Sequence, residues 1–258
     1  MSRGLACRRA AWAAGLAVAV LAGAARAQGG FDHSAWDSLL PRYVDADGRV
    51  AYRTLQQNDA RTLQTYLDAV AAARPDGWPR AEQLAFWINT YNAAMVSAVL
   101  QGRTPETALG RVKLFKFWKF RAAGRDRTLD EVEHEILRRR FGEARIHFAL
   151  VCAATSCPRL RREAYRGERL EAQLDDQARQ FLNDARHNRI DPEQKRLQLS
   201  EIFRWFRDDF VTAAGSVPAF VALYVDDAPR RDWLLTQPTV QHLDYDWTLN
   251  AQPGQRPR

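Results

Sequence analysis

Strongly apolar runs, cysteine and net charge are all scarce in this 258-residue chain, and each scarcity excludes something. The apolar run from Ala10 to Ala25 is mostly Ala, Val, Leu and Gly, and it falls short of the roughly 20 strongly apolar residues that a spanning helix needs. It follows Arg3, Arg8 and Arg9 and closes on Ala25-Arg26-Ala27, the charged, apolar and small-residue order of a secretory signal. Residues 1–27 therefore read as a cleavable signal peptide. The mature protein is expected to begin near Gln28, to be periplasmic or secreted, and to keep no stable membrane span. No Cys stands at the cleavage position, so a lipid anchor has no attachment point. The signal takes four arginines and no acid with it, which lowers the net charge from +7 to +3, with 34 basic against 31 acidic residues. So even a balance argues against a nucleic-acid partner.

Cysteine is scarcer still. Of three, Cys7 lies in the signal, which leaves Cys152 and Cys157 in the stretch Val151-Cys152-Ala153-Ala154-Thr155-Ser156-Cys157-Pro158. In an oxidising compartment two cysteines this close can pair. Closing so small a loop stabilises the fold by only about 2 kcal/mol in chain-entropy terms, so stability is a weak reason for the pair. Repeats and low-complexity linkers are also missing, which favours one α+β domain over residues 28–250. The polar, Pro-rich tail 251–258 is expected to be disordered.

Hydrophobic periodicity marks out most of the elements. Residues 31–40 and 61–73 read as helices, the second from Leu63, Tyr66, Leu67 and Val70. The segment 44–52 reads as two strand pieces around an Asp47-Gly48 turn. From Arg80 to Leu100 the chain is apolar on more than one face, which predicts a buried central helix packed on a small mixed or antiparallel sheet. The basic and aromatic stretch 111–121 reads as a hairpin or extended arm, packed by its aromatics under a solvated basic edge. Asp130 opens a helix to Arg139, with Asp130 and Glu133 spaced as a capping box. Ile146 to Cys152 reads as a buried strand, 168–182 as an amphipathic helix and 190–199 as a strand pair. Ser200 is placed to cap a further helix through Phe210.

Within these elements a few polar residues stand out. Asn89 and Asn92, three apart on the buried helix, need hydrogen-bond partners. An adjacent loop's backbone is the simpler provider, and a ligand the sharper one. Glu133 is explained by the capping box, whereas His134 is not. Alternation along the expected strand puts His147 and Cys152 on opposite faces. Cys157, just before Pro158, is placed at a helix N-terminus with Arg159, Arg161 and Arg162 behind it, a setting that favours a thiolate. A free, reactive Cys157 and a structural Cys152–Cys157 bridge are both open on this reading. A zinc site from His134, His147 and the two thiols ranks third, because paired ligand spacing is missing. No cofactor is expected.

Several long blocks resemble one family, that of domain of unknown function 547. They are Ala85-Phe86-Trp87-Ile88-Asn89-Thr90-Tyr91-Asn92-Ala93, Val132-Glu133-His134-Glu135-Ile136-Leu137-Arg138, and Arg145 to Cys152 running into Ser156-Cys157-Pro158-Arg159-Leu160-Arg161. The likeness continues through residues 202–210 to Tyr245-Asp246-Trp247-Thr248-Leu249-Asn250, and so extends over roughly residues 80–250. It implies no activity. The order of a buried helix followed by a strand bearing His147 is also similar, in topology alone, to papain-like and transglutaminase-like thiol enzymes. Two functions remain. One is a thiol-dependent hydrolase or transferase with Cys157 as nucleophile, His134 or His147 as base, Glu133 orienting it, and Asn89 or Asn92 as oxyanion donor. The other is a non-catalytic module binding a small molecule, glycan, peptide or partner protein through Asn89, Asn92, Trp205 and Trp247, with the cysteines bridged.

Overall fold

A computed structural model describes residues 29–257, so the expected signal peptide lies outside the described residues. Its organising element is α4 (Arg80–Leu100), which is buried from Leu84 to Val99 on every face. Helices α1 (Ser34–Tyr43), α2 (Tyr52–Asn58) and α3 (Ala60–Ala72) form a layer beside it. On α3 the side chains Leu63, Tyr66, Leu67 and Val70 repeat at helical spacing and are buried, an apolar stripe facing the core. Before α2 the chain turns through Gly48, with φ of +77°, a left-handed conformation that suits glycine.

The stretch expected as an arm is mostly helical. Thr107 caps it by accepting from the Gly110 N–H at 2.9 Å, and α5 (Ala108–Val112) runs straight into a wider π-helical segment, Lys113–Phe117. Only then does a short hairpin form, β1 (Phe120–Ala122) antiparallel to β2 (Arg125–Arg127). A second π-helical segment, Glu131–Phe141, packs against α4. Its start differs from the expected capping box: Asp130 makes no capping bond, and the Glu131 N–H bonds to Thr128 Oγ1 at 3.1 Å.

The expected strand 146–152 is corrected to a short helix, α6 (Ile146–Ala149), followed by extended chain. Ile146, His147, Phe148 and Ala149 are all buried, and a short, continuously apolar run looks the same whether a buried helix or a buried strand will hold it. The likeness to papain-like enzymes rested on that strand. Likewise, no helix starts at Pro158. Residues 158–166 are irregular, and the next helical turn is Gly167–Arg169, leading into α7 (Leu170–Leu182).

The C-terminal part holds a mixed sheet of β3 (Arg189–Asp191), β4 (Arg196–Ser200) and β5 (Val240–Leu243), with β4 antiparallel to β3 and parallel to β5. Short helices α8 (Ile202–Trp205), α9 (Arg207–Ala214), α10 (Val217–Ala222) and α11 (Ala228–Leu235) connect them. The fold is α+β, but helices rather than the sheet surround α4. The sheet belongs to a second apolar cluster around Phe148, Phe181, Phe203 and Phe210. Finally, the tail expected to be disordered is tied down. Gln252 N donates to Val50 O at 3.0 Å, Thr54 Oγ1 to Gln255 Oε1 at 2.8 Å, and Arg256 pairs with Glu106. Its polar composition is used for hydrogen bonds to α2 and its approach.

Candidate functional site

Where the apolar cluster around α4 meets the C-terminal cluster, the surface opens into a cleft of about 270 Å³. Glu133, His134, His147, Cys157, Trp205 and Trp247 all line it. With α6 in place of a strand, His147 and Cys152 no longer face opposite ways, and both border the cleft. Both π-helical segments contribute wall residues: Phe115 and Lys116 from one, Glu133 and His134 from the other. Such wide turns often occur where a helix must re-aim side chains at a site.

The two sulfurs of Cys152 and Cys157 lie 2.09 Å apart, at bonding distance. The backbone N–H of Cys152 donates to Cys157 Sγ at 2.9 Å, and Tyr245 Oη donates to the same sulfur at 3.3 Å while lying 3.2 Å from Cys152 Sγ. Burial raises the Tyr245 hydroxyl far above its ordinary value, so it stays a proton donor. Cys157 is only 5 % exposed, and Cys152 is the more open of the two.

A connected polar chain runs along the wall. His134 contacts Asp130 at 3.6 Å and accepts from Arg138 at 3.0 Å. Arg138 grips Asp209 with two bonds of 2.7 and 3.0 Å, and Asp209 meets His147 Nε2 at 2.7 Å. The His147 ring is buried and stacked on Phe206, with centroids 3.8 Å apart. Burial lowers the His147 imidazole, and the Asp209 carboxylate offsets this only in part. Burial alone would raise Asp209, but hydrogen bonds from His147 and Arg138 hold it well below the usual carboxylate range. Glu133 accepts from Tyr91 Oη at 3.1 Å. Neither His134 nor His147 makes a hydrogen bond to either sulfur; their partners are those just named.

Aromatic rings form the rest of the lining. Trp205 and Trp247 are stacked at 5.6 Å, Tyr245 lies 4.8 and 4.6 Å from them, and the Arg111 guanidinium sits 4.3 Å over Trp247. Trp205 is 40 % exposed. This cluster supplies a flat, amphipathic surface beside the sulfurs.

Asn89 and Asn92 are not among the residues that line the cleft, and each amide is bonded to main chain. Asn89 donates to Tyr165 O at 2.8 Å and accepts from Tyr165 N at 3.0 Å. Asn92 does the same for Ala149 O and Val151 N, both at 2.9 Å. Each amide imitates a strand partner for one loop, which uses its oxygen and one of its two N–H donors. Among the described residues no group of three or more His, Cys, Asp or Glu side chains is placed to hold a metal ion.

Sequence reasoning missed Arg138, Asp209, Tyr91 and Tyr245 as parts of the site. Arg138 was within reach, four residues beyond His134 on one helix face. Asp209 and Tyr245 join from 62 and 88 positions away from His147 and Cys157, a distance no local pattern spans. Residues 75–182 match the model of the family described as Protein of unknown function, DUF547. No curated protein and no solved structure matches the chain.

Proposed function

We propose that this chain, a member of the domain of unknown function 547 family over residues 75–182, is a thiol-dependent enzyme whose reactive group is the Cys152–Cys157 pair. The observation that carries this reading is the support given to Cys157 Sγ by the Cys152 N–H and the Tyr245 hydroxyl in an open cleft. Two donors aimed at one sulfur favour its thiolate over the thiol. A bridge serving stability alone has no use for such donors or for a place on a cleft wall.

The reaction that fits without a histidine in contact is thiol–disulfide exchange. A substrate thiolate attacks the more open Cys152 sulfur, forming a mixed disulfide and breaking the Cys152–Cys157 bond. The electron pair leaves on Cys157 Sγ, where the two donors receive it. A second substrate thiolate then attacks the substrate sulfur and releases Cys152 as thiolate. The substrate dithiol is oxidised to a disulfide, and the protein disulfide is reduced to a dithiol. Trp205, Tyr245 and Trp247 would hold a peptide or similar amphipathic substrate beside the pair. An exported location, as read from the N-terminal residues, suits this chemistry because disulfides persist there.

A second reading is favoured by the His147–Asp209 contact. Once a dithiol has reduced the pair, Cys157 could act as nucleophile of a hydrolase or transferase with His147 as base and Asp209 orienting it, Asp209 taking the place expected for Glu133. That requires His147 to come within reach of Cys157 in the reduced protein.

Trapping separates these readings. Incubated with a disulfide-containing peptide, reduced Cys157→Ser protein should accumulate a mixed disulfide on Cys152, and Cys152→Ser much less. Tyr245→Phe should slow exchange about fivefold to tenfold, the loss of one hydrogen bond of roughly 1–1.5 kcal/mol. A thioester on Cys157 after reduction would favour the second reading. A pair that stays oxidised in excess dithiol and forms no adduct would leave a binding module with a structural bridge.

A further inference from the structure

The segment Ala108–Phe117 carries an unusual outward face. Leu109, Val112, Lys113, Lys116 and Phe117 recur at i, i+3, i+4, i+7 and i+8, the spacing of a helix's buried stripe, yet all five are exposed. Leu109 is 63 % exposed, Val112 43 % and Phe117 70 %, while Leu114 on the inner side is fully buried and fastens the segment to the core. From Thr107 through Arg125 inclusive the chain has six bases and no acid. Lys113, Lys116 and Lys119 have no ion-pair partner among the described residues.

We infer that this face docks on an anionic phospholipid surface. Apolar tips set among lysines on one helix face suit the boundary between acyl chains and headgroups: the apolar groups enter it, and the lysine stems lie along it with their ammonium groups at the phosphates. Single-stranded nucleic acid would instead need exposed rings on which to stack, and here Trp118 is turned in and stacked on Phe120 at 5.4 Å, leaving Phe117 alone. The same segment forms one wall of the cleft through Arg111, Val112, Phe115 and Lys116. Docking therefore holds the cleft mouth at the bilayer and presents it to substrates carried there. The inference does not depend on the cysteine chemistry.

Co-sedimentation with vesicles tests it, using phosphatidylcholine alone against an equimolar mixture with phosphatidylglycerol. Every variant is made in the same chain, so that any contribution of residues 1–27 is common to all. The protein should partition onto the anionic vesicles and be released by salt. Phe117→Ser should weaken partition about tenfold or more, from the apolar burial lost. Lys113→Glu with Lys119→Glu should weaken it by roughly thirtyfold or more, at two juxtamembrane charges. All three positions are exposed, and an unchanged thermal midpoint confirms folding. Equal partition onto both vesicles, partition that neither variant weakens, or tight binding to an oligonucleotide or an acidic peptide with none to vesicles would each overturn the inference.

Discussion

Replacing Asn92 by Ala tests whether the loop bearing the cysteine pair is held by the central helix. Asn92 is 2 % exposed, and its amide satisfies two main-chain groups, Ala149 O and Val151 N, each at 2.9 Å. These flank Leu150, on the extended chain between His147 and Cys152. Truncation leaves a buried N–H and a buried C=O unpaired, at about 1–3 kcal/mol each, against a gain of about 0.5 kcal/mol in helix propensity. The expected loss is therefore about 2–5 kcal/mol, a large part of the roughly 5–15 kcal/mol that holds a typical domain together. Asn92→Asp sharpens the test. A carboxylate still accepts from Val151 N–H but cannot donate to Ala149 O, whereas the protonated acid can do both. Burial raises such a carboxyl, so this variant should be poorly stable at neutral pH and recover as the pH falls through its raised folded-state pKa. Urea unfolding from neutral to mildly acidic pH measures both. A loss below about 1 kcal/mol for Asn92→Ala, with an Asp variant indifferent to pH, would refute the reasoning, since it lies under the cost of even one stranded group.

Two further predictions rest on single residues. Burial, aided by Arg166, lowers the His33 imidazole from 6.5 to about 4. His33 therefore contributes stability that is fully present above pH 6.5 and lost as the pH falls toward 4, an effect of about 3 kcal/mol. His33→Gln, which keeps a partner for the Tyr66 hydroxyl that His33 meets at 2.8 Å, should flatten that part of the stability–pH profile; an unchanged slope would count against it. A Cβ on Gly48 would lie 2.1 Å from Arg159 Cβ and 2.6 Å from its Cα. Gly48→Ala should thus cost at least about 2 kcal/mol through overlap and positive-φ strain, visible in the thermal midpoint. A change within about 0.5 kcal/mol, typical of free surface positions, would show that the loop yields instead.

The sequence by itself determined those features whose physics is local. The bounds of α4 at Arg80 and Leu100 follow from an apolar run on all faces. The β3–β4 pair follows from the run 190–199, and α7 from its register of Leu170, Leu174, Ala178 and Phe181. The residues with something to explain, Asn89, Asn92, His134, His147 and Cys157, stood out because each is a polar or reactive side chain that the local pattern does not account for. Only the tertiary structure decided how they were satisfied. The run 146–152 is too short and too apolar for period to choose helix or strand, and the choice reversed which side chains share a face. Pro158 permits a helix start without compelling one, and residues 158–166 run irregularly, with Arg159 O, Ala164 O and Arg166 N bonded to Gln177 and Gln173 of α7. His147 meets Asp209, and Cys157 meets Tyr245, across 62 and 88 positions. Such pairings depend on how the layers close on one another, which no residue's own neighbours specify.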